Sequence, residues 1–328
     1  MRAAFYDRIG AAREVLQLGD LPDPTPAAGE VRVRVRWSGV NPSDVKSRGG
    51  YRGRAMPFAR IVPHSDGMGV VDAVGEGVDR ARIGQRVWLW NAAWGRPFGT
   101  AAEAICLPQA QAVPLPDGVP DEAGACFGIP ALTAMHAVLT RGGVQGQRVL
   151  VAGGAGAVGH YALQFARKLG ARQVLATTST PEKARIACAA GAEESFDYRA
   201  PDAAQRILAA TGGQGVDRVI ELDIAANATL DLQMLRRGGD AVVYGSGAGE
   251  FKLPFFPLIA NNIGLQFFIV YHLNDNERAH AVDTLNRLLL QGGIEHAIAQ
   301  RLPLAEIATA HELVEQGRAT GNVVLAIP

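Results

Sequence analysis

The chain has 328 residues, of which 48% are hydrophobic, and its 32 basic residues balance its 32 acidic ones. This length gives room for two domains with substantial cores, and the neutral balance offers no electrostatic attraction to nucleic acid or to an anionic membrane. Three cysteines, Cys106, Cys126 and Cys188, stand far apart without a C-x-x-C pair, so neither a disulfide framework nor a thiolate zinc site is indicated.

The first third of the chain has the pattern of short β-strands. In "EVRVRVRWSGV", from Glu30 to Val40, valines alternate with arginines, as in a strand with one face in water. The segments "GMGVVDAVGEGV" and "GQRVWLW" are further strand candidates, set off by glycines and prolines. The N-terminal "MRAAFYDRIG" lacks the apolar core of a signal peptide. We therefore expect a cytoplasmic protein that begins with a β-rich, barrel-like domain over residues 1–119.

From about Pro120 the pattern changes to alternating helices and strands, which is typical of a doubly wound parallel sheet. Strands are predicted at Arg148 to Ala152, Gln173 to Thr180, Gly215 to Leu222 and Gly239 to Gly247. A further strand from Leu265 to Tyr271, a helix from Glu277 to Gln291 and a final strand follow. The fold class is therefore α/β: residues 120–271 form a Rossmann cofactor domain, and residues 272–328 complete the first domain.

The stretch "VLVAGGAGAVG", from Val149 to Gly159, joins a predicted strand to a predicted helix. Gly153, Gly156 and Gly159 have the spacing G-x-x-G-x-x-G, which allows a tight turn, a close ligand and a close helix. The unpaired amides and the positive end of the helix dipole favour an anion there. A plain chain reversal is the alternative, but the surrounding β-α-β pattern favours a dinucleotide diphosphate.

Several motifs in this order resemble the medium-chain dehydrogenase/reductase superfamily, and within it the zinc-independent, zeta-crystallin-like quinone oxidoreductase branch. The motifs are "GVNPSDVKSRGGY", "PHSDGMGVVDAVGEGV", "GIPALTAMHAV", the glycine turn, "GVDRVIELD" and "GRATGNVVLAIP". The resemblance covers nearly the whole chain. It implies an NADP-binding Rossmann domain and a GroES-like domain.

By this resemblance, Asn41 and Asp44 lie beside the nicotinamide and the substrate, and Tyr51 is a candidate hydroxyl donor. A structural alternative is an Asx turn at Asn41 and a helix N-cap at Asp44, and the two kinds of role are compatible. Lys46 stands where many relatives have a tyrosine. This difference weakens any proton relay through a pair of tyrosines.

The resemblance also indicates that no zinc is bound. Zinc-dependent members place a cysteine where Asn41 stands, a histidine where Ser65 stands and a further cysteine near Ile129. Zinc prefers thiolate, imidazole or carboxylate ligands, so these residues form no good ligand set. We expect the nearby His64 and Asp66 to belong to a hydrogen-bonded turn rather than to a metal site.

The candidate cofactor-binding residues come from the glycine turn, from the end of the second strand and the helix after it, and from the resemblance: Thr133, Gly153, Gly156, Ala157, Val158, Gly159, Thr178, Ser179, Lys183, Tyr198, Gly245 and Asn322. NAD-specific relatives have an acidic residue near the end of the second strand, where this chain has Thr178. Lys183 and Arg185 could instead reach a 2′-phosphate, and Tyr198 could flank it, whereas Glu182 would oppose it. We therefore predict a preference for NADPH over NADH.

The predicted activity is hydride transfer from NADPH to a quinone or a related electron-poor conjugated acceptor. An NADPH-dependent enone or acryloyl double-bond reductase is the alternative enzyme. A nucleotide-binding protein with little catalysis is a third possibility, because no acid/base pair stands out. The apolar, uncharged "GLQFFIVY" predicts a homodimer joined through edge strands, although an internal buried strand would have the same pattern.

Overall fold

The computed structural model describes residues 1–51 and 55–328, which form two compact units. The first unit comprises Met1–Pro130, Asn286–Gly292 and His296–Pro328, and the second comprises Ala131–Leu285 and Gly293–Glu295. Both main borders lie later in the chain than the predicted borders after residues 119 and 271. The second main border falls inside one helix, so no change in composition marks it.

The strands and helices alternate along most of the chain. The strands are β1 (Arg2–Phe5), β2 (Gln17–Asp20), β3 (Glu30–Val40), β4 (Asp66–Val74), β5 (Arg86–Leu89), β6 (Ala104–Pro108), β7 (Ala112–Pro114), β8 (Arg148–Ala152), β9 (Gln173–Thr178), β10 (Glu194–Asp197), β11 (Val216–Glu221), β12 (Leu235–Val243), β13 (Gly264–Phe267), β14 (Ile298–Pro303) and β15 (Asn322–Ala326). The helices are α1 (Ala12–Val15), α2 (Pro42–Arg48), α3 (Asp121–Gly124), α4 (Leu132–Leu139), α5 (Ala157–Lys168), α6 (Pro181–Ala189), α7 (Ala203–Ala210), α8 (Ile224–Met234), α9 (Phe255–Ala260), α10 (Asp275–Gln291) and α11 (Ile307–Glu315).

The first unit is built on a sheet with the strand order β14-β15-β3-β4-β5-β7, in which β6 also pairs with β3. The alternation predicted for β3 is confirmed, because Val31, Val33 and Val35 are buried in the core while the intervening arginines face outward. Of these, Arg32 forms an ion pair of 2.8 Å with Asp72 on β4. Burial of the valine face, rather than this partly exposed ion pair, provides most of the stabilisation.

The second unit contains a parallel sheet of six strands in the order β10-β9-β8-β11-β12-β13. The predicted doubly wound arrangement is therefore confirmed. The strand order reverses between β8 and β11, and ligands of such sheets bind at the carboxyl ends of the strands beside this reversal. No helix in the described ranges is long and apolar enough to cross a membrane.

The predicted strand from Leu265 to Tyr271 is shorter in the structure. Strand β13 ends at Phe267, because its neighbour β12 ends at Val243, the residue opposite Phe267. A 3₁₀ turn at Val270–His272 follows. Strand β13 lies at the edge of the described sheet, so an internal strand is not what this segment forms. The side chain of Phe267 is 54% exposed.

Candidate functional site

The glycine-rich turn lies at the carboxyl end of the central strand β8, next to the strand-order reversal. Gly153 has a φ of 65°, in the left-handed region that favours glycine. Gly156 is the N-cap of α5, and Ala157 and Val158 open the helix. The first amides of α5 therefore point away from the helix at the edge of the sheet where ligands bind.

Gly159 has a packing role in this turn. A Cβ built on Gly159 would overlap the carbonyl oxygen of Gly153, so only glycine allows α5 to approach the turn this closely. This is the close helix approach that the spacing predicts. The turn thus offers a cradle of backbone amides and a helix N-terminus, which is an arrangement that binds phosphate groups.

The end of β9 carries the residues predicted to recognise the ribose. Thr178 is buried, and its hydroxyl lies 3.0 Å from that of Ser195 on β10. Counting along the sequence missed Asp197, which is the register partner of Thr178 at the same edge of the sheet. The end of β9 has no carboxylate at Thr178, but the neighbouring strand β10 supplies one, Asp197, at the same level.

The charge of Asp197 is matched by Arg199, whose Nε lies 3.0 Å from Asp197 Oδ1. Hydrogen bonds from Arg199 hold the pKa of Asp197 below its ordinary value. Arg199 also donates to the carbonyl oxygen of Ser179, and its guanidinium lies 5.9 Å from the ring centre of Tyr198. The sequence "FDYRAP" contains this pair, but the strand register is needed to place it beside Thr178.

The remaining predicted cofactor residues occupy several positions. Lys183 is half-buried in the first turn of α6, where Thr180 caps the helix by accepting from the Lys183 amide. Thr133 is buried in α4, and Gly245 follows the end of β12. Asn322 belongs to the first unit, where its side-chain amide donates to the Ala297 carbonyl at 3.0 Å.

In the first unit, Asn41 and Asp44 form the N-terminal cap of α2. Asn41 is the N-cap, and its backbone amide donates to Asp44 Oδ2 at 2.8 Å in a capping box. The sequence alternative that made Asp44 the N-cap was wrong in this detail, because Asp44 is the third residue of the helix. The two candidate side chains are thus held together by the standard hydrogen bonds of a helix start.

Asn41 is also bound to a residue that the sequence analysis assigned to a turn. Its Nδ2 donates to Oδ2 of Asp66, the first residue of β4, at 2.8 Å. Asp66 is fully buried, and burial raises its pKa well above the ordinary value, with the Asp44 charge acting in the same direction. Asp66 is therefore held as a neutral carboxylic acid beyond the pH at which an exposed aspartate ionises.

Two tyrosines are associated with Asn41, Asp44 and Asp66: Tyr6 lies close to Asp44 in space, and Tyr51 lies close to α2 in the sequence. Tyr6 is buried, and its pKa is raised to about 12 by burial and by the charge of Asp44. Tyr51 follows α2 and is 59% exposed, with Lys46 Nζ 5.1 Å from its ring centre. Tyr6 could not be predicted from the sequence, because no spacing rule links the residue after β1 to α2.

His64 and Asp66 make separate hydrogen bonds, but these are not the bonds of the expected turn, because Asp66 begins β4 and both side chains bond to residues distant in the sequence. His64 Nδ1 lies 2.8 Å from Ser38 Oγ, and His64 Nε2 lies 2.9 Å from Nε2 of His311. Burial lowers the pKa of His64 to about 3, which favours a neutral imidazole. Among residues 1–51 and 55–328, no group of three or more His, Cys, Asp or Glu side chains is placed to hold a metal ion.

Both units contain a segment that matches a known protein-family model. The family model "Alcohol dehydrogenase GroES-like domain" matches residues 27–117, and the model "Zinc-binding dehydrogenase" matches residues 157–287. The quinone oxidoreductase of Homo sapiens is 31% identical over 330 residues, which cover 100% of this chain and 98% of that protein. The chain belongs to the quinone oxidoreductase branch of the medium-chain dehydrogenase/reductase superfamily.

Solved structures agree with this membership. A structure described as an NAD-dependent alcohol dehydrogenase has a TM-score of 0.91 at 30% identity and covers 100% of both chains. The Escherichia coli quinone oxidoreductase, complexed with NADPH, has a TM-score of 0.87 at 26% identity, covering 99% of this chain and 100% of its own. As a medium-chain dehydrogenase/reductase, the chain is an oxidoreductase whose Rossmann and GroES-like folds match the sequence prediction.

Proposed function

We propose that this protein is an NADPH-dependent reductase that transfers hydride to a quinone or a related electron-poor conjugated acceptor without zinc. The observation that carries the proposal is the glycine turn at the carboxyl end of β8. There Gly153 opens the cradle and Gly159 allows α5 to present its amides to a diphosphate. The similarity to quinone oxidoreductases, one of them complexed with NADPH, supports the choice of cofactor and acceptor.

The NADPH preference depends on the charges at the carboxyl ends of β9 and β10. Asp197 would repel a 2′-phosphate, but Arg199 already balances its charge, and Lys183 adds a cation on α6. Glu182 on α6 opposes a phosphate, but Lys183 and Arg185 on the same helix outnumber it, so the net charge near this edge is positive and favours a phosphate over a bare hydroxyl. Ser179 can donate a hydrogen bond, and Tyr198, which is 42% exposed, can flank the phosphate.

Asn41, Asp44 and Tyr51 are proposed to form the catalytic part of the site. The nicotinamide supplies the hydride, and the protein's task is to bind, orient and protonate. The side-chain amide of Asn41 is already oriented by Asp66 and by the capping box, so it loses little conformational entropy when ligands bind. Tyr51 is exposed in the described structure and is the candidate hydroxyl donor to the reduced acceptor.

Zinc independence rests on the ligand chemistry of the first unit. Asn41 and Ser65 offer an amide and a hydroxyl, which are poor ligands for Zn²⁺, and Ile129 offers none. Asn41 is in addition hydrogen-bonded to Asp66. A metal at this position would have to displace an existing buried hydrogen bond and would gain only weak ligands.

The test combines cofactor binding with a panel of acceptors. NADPH is first titrated into the protein while fluorescence is followed, and NADPH consumption is then measured with quinones and with enones. We expect saturable binding and faster consumption with quinones. Consumption with enones alone would favour the double-bond reductase, whereas binding without consumption would favour a nucleotide-binding protein with little catalysis.

A homodimer and a cytoplasmic location complete the proposal. Strand β13 leaves one side without a strand partner in the described sheet, and Phe267 is exposed on it. Pairing with the same strand of a second copy would cover this edge. The cytoplasmic location stays a prediction from the sequence.

A further inference from the structure

Two buried acids meet at the carboxyl end of β11. Glu221 ends the strand and is fully buried, and Asp231 on α8 is 3% exposed. Each has one oxygen, Glu221 Oε2 and Asp231 Oδ2, that no donor in the described residues reaches except the neighbouring acid. Burial raises the pKa of both groups, and the charge of Glu221 raises that of Asp231 further. One proton held between the two acids satisfies both oxygens.

The other oxygen of Glu221 fixes the chain that follows β11. Glu221 Oε1 accepts from the backbone amide of Asp223 and from Asn227 Nδ2, the latter at 3.0 Å. The carboxylate of Asp223 in turn accepts from the backbone amide of Gly247 at 2.7 Å. The end of β11, the start of α8 and the loop after β12 are thus joined by one set of hydrogen bonds.

Leu222 lies in the middle of this fixed segment and packs against two glycines. A Cβ built on Gly153 would overlap Leu222 Cδ2, and a Cβ built on Gly245 would overlap the Leu222 carbonyl oxygen. The Leu222 side chain remains 39% exposed. Strand β11 lies beside β8 on the side opposite to β9. A dinucleotide that places its adenosine half over β9 therefore extends its other half toward β11 and Leu222.

We infer that Glu221 and Asp231 are positioning residues that share one proton and hold Leu222 beside the glycine turn, where it forms an apolar wall for the nicotinamide half of the cofactor. This inference rests on the proposed function. A wall that is already in place before binding lowers the cost of ordering it. At alkaline pH the shared proton is lost, and two adjacent buried carboxylates repel each other, which releases Leu222.

Few other charges face the two acids. Neither acid forms an ion pair within the described part of the chain. The charge of Asp223 raises the pKa of Glu221, and the charge of Glu221 raises the pKa of the Tyr244 hydroxyl. Helix α7, which packs on α8, has one charged side chain, Arg206, and it is paired with Glu194. Among the charged residues of the neighbouring strands β8 and β12, three lie at the N-terminal ends: Arg148, Arg236 and Arg237. The fourth, Asp240, lies three residues before the end of β12 and is paired with Arg218. The loop after β12 adds Glu250 and Lys252, both exposed. The shared proton is therefore the main charge-balancing element of this cluster.

The first test measures the shared proton without cofactor. The infrared difference spectrum between the wild type and Asp231→Asn at neutral pH is expected to contain the carbonyl band of the protonated acid at this pair, whereas the band of the buried Asp66 is common to both proteins and cancels. Asp202→Asn, which changes an exposed carboxylate of the same unit, is the matched control and should leave the band unchanged. A difference spectrum between the wild type and Asp231→Asn without this band would overturn the inference.

The second test measures NADPH binding at neutral and at alkaline pH. Asp231→Leu is expected to weaken binding about three- to tenfold at neutral pH, the cost of ordering one segment on binding. Asp231→Asn should bind as the wild type at neutral pH, because its amide still donates to Glu221, and should not weaken at alkaline pH as the wild type does. Thermal unfolding shows whether each variant is folded. If Asp231→Leu is not folded, the pH dependence of NADPH binding in Asp231→Asn and the wild type alone decides the test.

A double-mutant cycle tests whether Leu222 carries the effect. In a Leu222→Ala background, Asp231→Leu should add no further loss of NADPH affinity. A full additional loss, or wild-type affinity in Asp231→Leu, would contradict the inference. A wild type that binds neither NADPH nor NADH would instead refute the proposed function, and the infrared result would still decide whether the proton is shared.

Discussion

Replacing Asp66 by asparagine should change how stability depends on pH. Asp66 is fully buried with a raised pKa, so the folded wild type keeps a proton that the unfolded chain releases above its ordinary pKa, about 3.9. Because the folded state then binds more protons, the free energy of unfolding falls as the pH rises toward the folded pKa. The slope for one proton is about 1.4 kcal/mol per pH unit. The side-chain amide of the Asp66→Asn variant does not titrate, so that contribution to the slope disappears.

The assay is chemical unfolding of the wild type and of Asp66→Asn over a series of pH values. The variant should gain stability relative to the wild type as the pH rises above about 4, and the difference should become constant above the folded pKa. Asp117→Asn, at a fully exposed side chain, should follow the wild type throughout. Parallel curves for the wild type and Asp66→Asn would refute the assignment of a neutral acid at position 66.

Three further predictions concern the cofactor domain. Gly159→Ala should destabilise the protein by about 1–3 kcal/mol and weaken NADPH binding, because its Cβ overlaps the Gly153 carbonyl, whereas Gly249→Ala meets open space and should leave both unchanged. Lys183→Ala should lower the ratio of kcat/KM for NADPH over NADH by about ten- to hundredfold, the value of one charge-assisted contact; an unchanged ratio would remove Lys183 from the phosphate site. Light scattering should give the mass of a dimer, and Phe267→Glu at the edge strand should shift it toward a monomer, whereas a monomeric wild type would exclude the edge pairing.

Local patterns were enough to predict the main elements of the fold. The alternation in β3 and the glycine turn between β8 and α5 depend on neighbours in sequence, and both are present in the structure. The length of β13 was not predictable in this way, because the strand ends where its partner β12 ends. The border between the two compact units falls inside α10, where one continuous helix shows no break in its sequence pattern.

The candidate site shows the same division between local and long-range information. The helix start at Asn41 and Asp44 depends on adjacent residues, and the sequence indicated a cap there, although it assigned the N-cap to Asp44 rather than to Asn41. The contact of Asn41 with Asp66 joins residues from two strands' ends, and the position of Asp197 beside Thr178 depends on sheet register. Side chains that meet through strand pairing have no fixed spacing in the sequence. The sequence therefore shows which charged residues are present but not which of them lie next to each other.

The most direct test of the proposed function is the turnover of NADPH and a quinone by protein that has been treated with a chelator and analysed for zinc. We predict well below one zinc per chain, unchanged kcat/KM after chelation, and oxidation of NADPH matched by reduction of the quinone. Stoichiometric zinc whose removal abolishes activity, or no quinone-dependent oxidation of NADPH by folded protein, would contradict it.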